Sequence, residues 1–383
     1  MSRPAKDAKI EEFFIPADPD DLAEILKNEK MEKCSLYNIR SQWLGSGSKV
    51  SERQFVAFRA VWPPMKLPKT LVTETHLYGI DKFWDHAQSI VNSLGDFQKF
   101  LDMIESDIYL KDLAIDDQRH PSSLATLRDL HELIGFDTSQ RQESARLKRA
   151  TSSTQPGVPP TAHTIKRVKN MVRSSSRGSL KNLPASEDRA ERPPTEQAAT
   201  PEASEKQFEA PDEATVNAAM IVFLRSFSGL VANSKFEYLF ERVSFTATFG
   251  ECSFTAYTDG AFRNSQQILV IIEVKKASRK QNLQAIQMQE TAEMTGWLKQ
   301  FEIERGFMKN HPVIISQDHN ELYVTFCSFH QDYLRYLKNK NAEITKNTYM
   351  SLQSYGPFYT NDKQHMKDFA ILITSMTLAA NAA

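Results

Sequence analysis

Residues 267–276 read QILVIIEVKK, and this stretch decides how the second half of the chain is interpreted. Residues 268–272 of this stretch are apolar at every position, which is typical of a strand covered on both faces. The strand runs directly into Glu273-Val274-Lys275, where a period of two places Glu273 and Lys275 on the same side. Burial of charge is costly unless the charge is paired or binds a metal. We therefore expect this strand to end at a site where its charges have partners.

A second carboxylate is expected beside the end of this strand. The preceding strand-like run, SFTAYTDGAF at residues 253–262, contains Asp259. A hairpin centred near Gln266 brings Asp259 opposite Glu273. Two carboxylates with a few waters suit Mg²⁺ or Mn²⁺, and a lysine beside them, here Lys275, can position or activate a water. A structural ion-pair cluster at a strand end is the alternative interpretation.

The order of these residues resembles a known signature. Asp259, followed by Glu-x-Lys at 273–275 on the next strand, resembles the motif of the PD-(D/E)XK nuclease superfamily, whose fold is restriction-endonuclease-like. The segment ILVIIEVKKASRKQNLQAIQMQETAEMTGWL further resembles a group of fungal PD-(D/E)XK nuclease-like proteins, in which a strand ending in EVK precedes a helix with a QE…AEM…W pattern. The resemblance covers about residues 210–380. Thr258 stands where the superfamily name has proline.

The resemblance implies a role for each matching residue. Asp259 and Glu273 would be ligands of Mg²⁺ or Mn²⁺, and Lys275 would contact the attacking water or the scissile phosphate. The helix after the ExK strand commonly supplies a glutamine in this superfamily, which predicts Gln289 as the fourth member of the catalytic site. Glu213 matches the place of a further acid. The alternative for Glu213 is a first-turn acid that complements the helix dipole.

The sequence also predicts the surroundings of other residues on the ExK strand and on the segment and helix that follow it. Gln289, Glu293 and Trp297 are spaced four residues apart and share one helix face. We expect Trp297 to pack in the core. Lys276 and Arg279 are expected to be solvated or to contact phosphate.

These features support two functions of different classes. The first is a metal-dependent nuclease that hydrolyses phosphodiester bonds, with DNA favoured over RNA as the substrate. The second is a nuclease-like scaffold without turnover that binds protein or nucleic acid. A net charge of −1, from 47 Lys+Arg and 48 Asp+Glu, mildly favours the second and argues against a surface wrapped in nucleic acid. The motifs GxxxxGK[ST], strand-associated GxGxxG and GxSxG are missing, so ATP-dependent, dinucleotide and α/β-hydrolase chemistry lack support.

The middle of the chain differs in composition from both ends. Residues 137–207 contain no Phe, Tyr or Trp and are rich in Pro, Ser and charge, which predicts a disordered linker. Residues 141–181 hold ten Lys and Arg against one acid, and residues 182–213 hold nine acids against three bases. The basic half is either a solvated spacer or a tether for nuclear import or nucleic acid. We expect a nuclear protein whose linker adds salt-sensitive, non-specific affinity for DNA.

The flanking regions differ in secondary-structure pattern. Residues 1–136 are predicted to be mainly helical, and residues 208–383 to form a mixed α/β domain with a restriction-endonuclease-like sheet flanked by helices. Helices are predicted from Pro19 and over 80–110 with a break at Gly95, 122–135, 212–231, 280–304, 330–339 and 367–379. Strands are predicted over 54–62, 242–249, 253–262, 267–276, 311–316 and 321–329.

Cysteine spacing and hydropathy indicate the cellular compartment in which the protein is expected. Cys34, Cys252 and Cys327 lie far apart without zinc-ligand spacing, which argues against a disulfide scaffold and a structural zinc site. The first residues lack the apolar stretch of a signal peptide. No window approaches the length of about 18 apolar residues that a membrane span needs. We expect an intracellular protein without a membrane partner.

Overall fold

A mixed β-sheet forms the centre of the structure, a computed structural model that describes residues 13–106, 213–302 and 306–383. The helices of these residues are α1 (Pro19–Asn28), α2 (Glu52–Phe58), α3 (Pro68–Tyr78), α4 (Asp81–Asn92), α5 (Gly95–Ser106), α6 (Glu213–Ser228), α7 (Leu283–Gln300), α8 (Gln331–Lys338) and α9 (Lys363–Ala382). The strands are β1 (Ala60–Val61), β2 (Glu237–Leu239), β3 (Ser244–Phe249), β4 (Cys252–Tyr257), β5 (Gly260–Arg263), β6 (Ile268–Lys275), β7 (Val313–Asp318), β8 (Glu321–Phe329) and β9 (Met350–Tyr359).

The sheet contains both parallel and antiparallel pairs. Its seven strands follow the order β1-β9-β8-β7-β6-β5-β2, while β3 and β4 pair with each other outside it. Strand β6 lies in the interior of the sheet, antiparallel to β5 and parallel to β7. Its residues 269–274 are all buried, as predicted for a strand covered on both faces.

Helices cover both faces, so the sheet is the middle of three layers. One hydrophobic cluster combines residues of α3, α4, α5, α6 and α9 with Val270 and Ile272 of β6. The other combines residues of α1, α2, α7, α8 and the β3–β4 hairpin with Ile271. Successive residues of β6 enter opposite clusters because side chains alternate along a strand. The prediction of a mixed α/β chain with helices on both sides of a mixed sheet is confirmed.

The N-terminal residues complete this architecture. Strand β1 extends the sheet by pairing in parallel with β9, where Ala60 lies opposite Met350. Trp62 donates a hydrogen bond of 2.9 Å from Nε1 to Thr291 Oγ1 on α7. Residues on both sides of the central region therefore share both hydrophobic clusters and belong to one compact unit.

The strand predicted over residues 54–62 is wrong for most of its length. Helix α2 occupies Glu52–Phe58, and its N-cap is Ser51, whose hydroxyl accepts a 3.2 Å hydrogen bond from Gln54 N. Its C-cap is Arg59, which has a left-handed conformation with φ of 52°. The aromatic and β-branched residues indicated a strand, but a serine N-cap and burial of residues 54–58 outweigh that propensity.

The run predicted as one strand over residues 253–262 is divided into β4 and β5. The break falls at Thr258 and Asp259, where the chain leaves its pairing with β3 and joins β6. Thr258 N donates to Val243 O at 3.0 Å, and Asp259 N donates to Ile272 O at 2.9 Å. Asp259 thus lies where the hairpin and the central sheet meet.

Other predictions on element positions have mixed outcomes. The break at Gly95 is confirmed, as are the helices after residue 212 and the strands around β6, β7 and β8. Strands β2 and β9 were not predicted, because β2 is short and β9 contains a Gly-Pro pair that argues against a strand. The helix predicted over residues 122–135 and the linker over 137–207 lie outside the described residues. None of the described helices combines the length and apolarity that crossing a membrane requires.

Candidate active site

Strand pairing brings the two predicted carboxylates together. Strands β5 and β6 are antiparallel, with Gly260 opposite Ile272. One residue further along each strand, Asp259 therefore lies beside Glu273, which is the register that the sequence predicts. Both residues are buried, with 6% and 2% of their surface exposed.

The carboxylate of Asp259 has protein partners on both oxygens. Its Oδ2 accepts a 3.0 Å hydrogen bond from Val274 N, and its Oδ1 forms a 3.1 Å ion pair with Arg242 Nη2. Helix α6 holds the same residue through the backbone, because Asn217 Nδ2 donates to Asp259 O at 3.3 Å. Val274 N and Asn217 thus hold Asp259 in place, and Arg242 adds an exposed ion pair.

Glu273 is held differently, and one of its oxygens has no partner. Its Oε1 accepts hydrogen bonds from Lys275 Nζ and, at 2.6 Å, from Gln289 Nε2. Its buried Oε2 accepts no hydrogen bond within the described part of the chain. Burial raises the pKa of Glu273 to about 8, although the charge of Lys275 opposes the shift. The result is a carboxyl oxygen that is shielded from solvent.

Helix α7 adds a third carboxylate to the cluster. Gln289 Nε2, which bonds Glu273, also donates to Glu293 Oε1 at 2.9 Å. The Oε2 atom of Glu293 is buried without a hydrogen-bond partner among the described residues. Burial, followed by the charge of Glu273, raises the pKa of Glu293 well above its ordinary value. Sequence reasoning placed Glu293 on the face of Gln289 but assigned it no role, although the four-residue spacing was the available signal.

Lys275 faces this group of acids at the edge of the solvent. Burial alone would lower its pKa, but the carboxylate of Glu273 outweighs that effect and raises it. A quarter of its side chain remains exposed, whereas Glu273 is almost fully covered. A permanently charged ammonium at the entrance is well placed to attract an anionic group.

The carboxylates of this site offer oxygen ligands of the kind that a divalent cation binds. Mg²⁺ and Mn²⁺ prefer oxygen ligands and commonly use one or two carboxylates with several waters. Asp259 and Glu273 supply such oxygens, among them the Oε2 atom of Glu273. No group of three or more His, Cys, Asp or Glu side chains suited to a metal is found in residues 13–106, 213–302 and 306–383. The two adjacent carboxylates fit a hydrated Mg²⁺ or Mn²⁺ rather than a cation enclosed by protein ligands.

Two other predicted positions have a simpler role. Glu213 is the first residue of α6, where an acid complements the helix dipole. It is Asn217, one turn later, that contacts Asp259. Trp297 is buried near Phe245, with ring centroids 6.5 Å apart, which confirms it as core packing.

The expectation that Arg279 is solvated or contacts phosphate is wrong. Its side chain is 3% exposed and forms ion pairs of 2.5 Å with Glu290 on α7 and with Asp318 at the end of β7. Ser316 Oγ also donates to Glu290 at 2.6 Å. Burial raises the pKa of Asp318 to about 6, while Arg279 counteracts this shift. Since Glu290 adjoins Gln289, this buried network fixes the orientation of α7 behind the site. Lys276, in contrast, is exposed as expected.

Comparisons of the chain with models of protein families, with curated proteins and with solved structures find no match. What the site can do therefore follows from its own geometry.

The backbone of β2 packs closely against Gly260, and a substitution at this position tests that packing. A Cβ atom at this position would lie 2.6 Å from Leu239 O, and that oxygen belongs to the backbone. We expect Gly260→Ala to lower the free energy of unfolding by about 1–3 kcal/mol, because β2 and β5 must separate. Urea unfolding measures this loss. Gly95→Ala is the control, since nothing lies within 4 Å of its added Cβ, and an equal loss in both variants would contradict the argument.

Proposed function

We propose that the protein is a metal-dependent nuclease with a restriction-endonuclease-like fold that hydrolyses phosphodiester bonds of DNA. The observation that carries this proposal is the convergence of Asp259, Glu273, Lys275 and Gln289 at the end of β6. A buried carboxylate with an unpartnered oxygen is expensive to maintain. Acids with perturbed pKa values cluster at functional sites.

Each side chain of the site has its own role in the proposed reaction. Asp259 and Glu273 would hold Mg²⁺ or Mn²⁺, which supplies a Lewis acid for the phosphoryl oxygens when bound. Lys275 would orient the scissile phosphate or the attacking water through its ammonium group. Gln289 fixes the carboxylate of Glu273 by a 2.6 Å hydrogen bond. Burial of the carboxyl groups lowers the local dielectric constant and strengthens each electrostatic contact.

The test uses the full chain, because the N-terminal residues complete the core. Purified protein is incubated with single-stranded DNA, double-stranded DNA or RNA in the presence of Mg²⁺ or Mn²⁺. Cleavage of DNA that requires the metal and disappears in Asp259→Ala is the expected result. Cleavage that survives this substitution would show that another site or a contaminant is responsible, and cleavage of RNA alone would reassign the substrate.

Arg242 offers a test of metal binding that does not depend on cleavage. Its ion pair occupies Asp259 Oδ1, yet 68% of the Arg242 side chain is exposed, so the pair is weak. We expect Arg242→Ala to bind Mn²⁺ about two- to fivefold more tightly in calorimetry, because a competing cation is removed. Asp259→Asn should reduce the affinity instead.

Arg225→Ala is the matched control for this measurement. Arg225 forms an exposed ion pair of 3.8 Å with Glu237, and its loss should leave Mn²⁺ binding unchanged. An unaltered affinity in both Arg242→Ala and Asp259→Asn would contradict the assignment of Asp259 as a ligand.

A scaffold without turnover is the second candidate, and one observation favours it. Both oxygens of Asp259 already have protein partners, Arg242 and Val274 N. A folded full-length chain that neither binds Mn²⁺ in calorimetry nor cuts DNA would support the scaffold. Mn²⁺ binding that is lost in Glu273→Ala would support the nuclease.

The basic segment at residues 141–181 belongs to the same proposal as a nuclear tether. Its ten basic residues include no aromatic neighbours for stacking, so its contribution to DNA binding is electrostatic. Deletion of this segment should move a fluorescent fusion to the cytoplasm and weaken DNA binding at low salt. If location and affinity both stay the same, the segment is a spacer.

A further inference from the structure

A pocket of about 210 Å³ lies between α1, the end of α2 and the segment that follows α8. Its walls include Leu22 and Leu26 of α1, Arg59 after α2, and Thr348 and Tyr349 before β9. None of the residues that line it belongs to the candidate active site. Pockets for drug-sized ligands have volumes of about 300–1,000 Å³, so this smaller pocket suits a small molecule or a single chemical group.

Arg59 is a buried cation on the wall of this pocket, and only 4% of its surface is exposed. Its Nη2 atom donates hydrogen bonds to the backbone carbonyl oxygens of Met31, Glu32 and Cys34. Among the described residues, no carboxylate forms an ion pair with its guanidinium, and its buried Nε has no acceptor. Arg279, which is 2% exposed, has two carboxylate partners. Because a buried charge is costly unless it is paired, Arg59 needs an anion that the described residues do not supply.

The backbone conformation at Arg59 is one that a side chain makes costly. Its φ of 52° and ψ of 50° lie in the left-handed region, which favours glycine. Residues held in such conformations cluster at active sites and ligand sites, where the surrounding structure keeps them in place. Here the three carbonyl oxygens hold the guanidinium, so its charge stays buried instead of turning to solvent.

Other groups around the pocket also favour an anion. Lys346 lines it, is exposed and forms no ion pair within the described part of the chain. The hydroxyl of Tyr349 has no hydrogen-bond partner in residues 13–106, 213–302 and 306–383. Glu32, the one acid among the described lining residues, is exposed, and it contacts Arg59 through its backbone carbonyl. Two cations and a hydroxyl suit the charge and the several acceptor oxygens of a phosphate group.

We propose that this pocket binds a phosphate group, either as free phosphate or as part of a small phosphorylated molecule. Arg59 is its main charged partner, because arginine donors match the geometry of phosphate oxygens and the Nε–H group is available. Lys346 adds a second positive charge from the exposed side of the pocket. Leu22 and Leu26 form an apolar wall for the carbon atoms of a phosphorylated molecule. The inference is independent of the proposed nuclease, since neither DNA nor a metal takes part.

The experiment is calorimetry of the full chain in buffer without divalent cations. The probes are inorganic phosphate, glycerol 3-phosphate and acetate. Phosphate should bind with millimolar or tighter affinity, and acetate should bind more weakly because it offers fewer acceptor oxygens and less charge. Tighter binding of glycerol 3-phosphate than of inorganic phosphate identifies a phosphorylated molecule as the ligand, and the reverse order identifies free phosphate. Equal affinity for acetate and phosphate would overturn the inference.

Substitutions on the pocket wall locate the bound anion. Arg59→Met should weaken phosphate binding about tenfold or more, since hydrogen bonds to charged groups are among the strong ones. Lys346→Gln should weaken it about two- to fivefold, as expected for an exposed charge pair. Lys340→Gln is the matched control, because Lys340 is exposed on the same segment after α8 but does not line the pocket. Its affinity for phosphate should equal that of the unmodified protein.

The comparison of Lys346→Gln with Lys340→Gln decides the question if Arg59→Met does not fold. Equal phosphate affinity in these two variants, or no binding by the unmodified protein at millimolar concentrations, contradicts the proposal. Binding that is lost in Lys275→Gln but kept in Lys346→Gln would place the anion at the candidate active site and would also refute it.

Discussion

Cleavage of DNA should be lost when Glu273 is replaced by glutamine, and the folded protein should become more stable at the same time. Glutamine keeps the shape of the side chain but cannot supply a charged ligand oxygen. A loss of at least about a hundredfold in rate is expected, since a bound metal contributes several kcal/mol to such reactions. Rates are compared under single-turnover conditions with Mn²⁺.

The gain in stability follows from the buried charge. Folding raises the pKa of Glu273 from its ordinary value of 4.5 to about 8, mainly through burial. A raised carboxyl pKa costs no stability below the unfolded value, and the cost grows as the pH rises towards the folded value. The difference in melting temperature between Glu273→Gln and the unmodified protein should therefore be small near pH 5 and larger near pH 8.

A surface acid serves as the matched control for this pair of effects. Glu251 is exposed in the turn between β3 and β4, and Glu251→Gln should change neither cleavage nor melting temperature. Retention of cleavage in Glu273→Gln would remove this residue from the site. A lower melting temperature at pH 8 would show that the ion pair with Lys275 outweighs the burial of the acid.

Replacement of Arg279 by alanine should cause a large loss of stability. Its guanidinium neutralises Glu290 and Asp318, and all three side chains are almost fully buried. Removal of one partner leaves two carboxylates without compensation, and such changes typically cost about 3–5 kcal/mol. Urea unfolding of the full chain measures the loss. Lys280→Ala, one residue away and exposed, should be nearly neutral.

A second variant keeps this prediction testable if Arg279→Ala does not fold. The combined replacement Arg279→Met, Glu290→Gln and Asp318→Asn removes every charge of the network. Such neutralised cores are often as stable as the original, so this variant should be more stable than Arg279→Ala alone. Equal stability of the unmodified protein and Arg279→Ala would mean that the network contributes nothing.

The sequence predicted the central strand and its partner because both signals are local. An apolar run that ends in Glu273 and Lys275 identifies β6, and the polar turn before it sets the register with Asp259. The role of Arg279 could not be predicted in the same way. Its partners Glu290 and Asp318 are brought to it only when α7 packs on the sheet, and nothing in the sequence around Arg279 indicates burial.

The same limit explains the error at residues 54–62. Aromatic and β-branched residues there fit a strand as well as a buried helix, and local pattern cannot separate the two. Tertiary packing decides: Tyr336 and Tyr333 donate hydrogen bonds of 2.8 and 2.9 Å to the carbonyl oxygens of Ala57 and Phe58 at the end of α2. Those partners lie more than 270 positions away in the chain.

The pairing of β1 with β9 also determines when the protein can fold during synthesis. Ala60 leaves the ribosome long before its partner Met350 is made. Until then, buried aromatic residues of α2 such as Phe55 and Phe58 have no complete core to enter. Closing so long a loop is slow, and exposed apolar surface in the meantime favours aggregation. The nascent N-terminal segment is therefore a strong candidate substrate for chaperones that bind apolar segments.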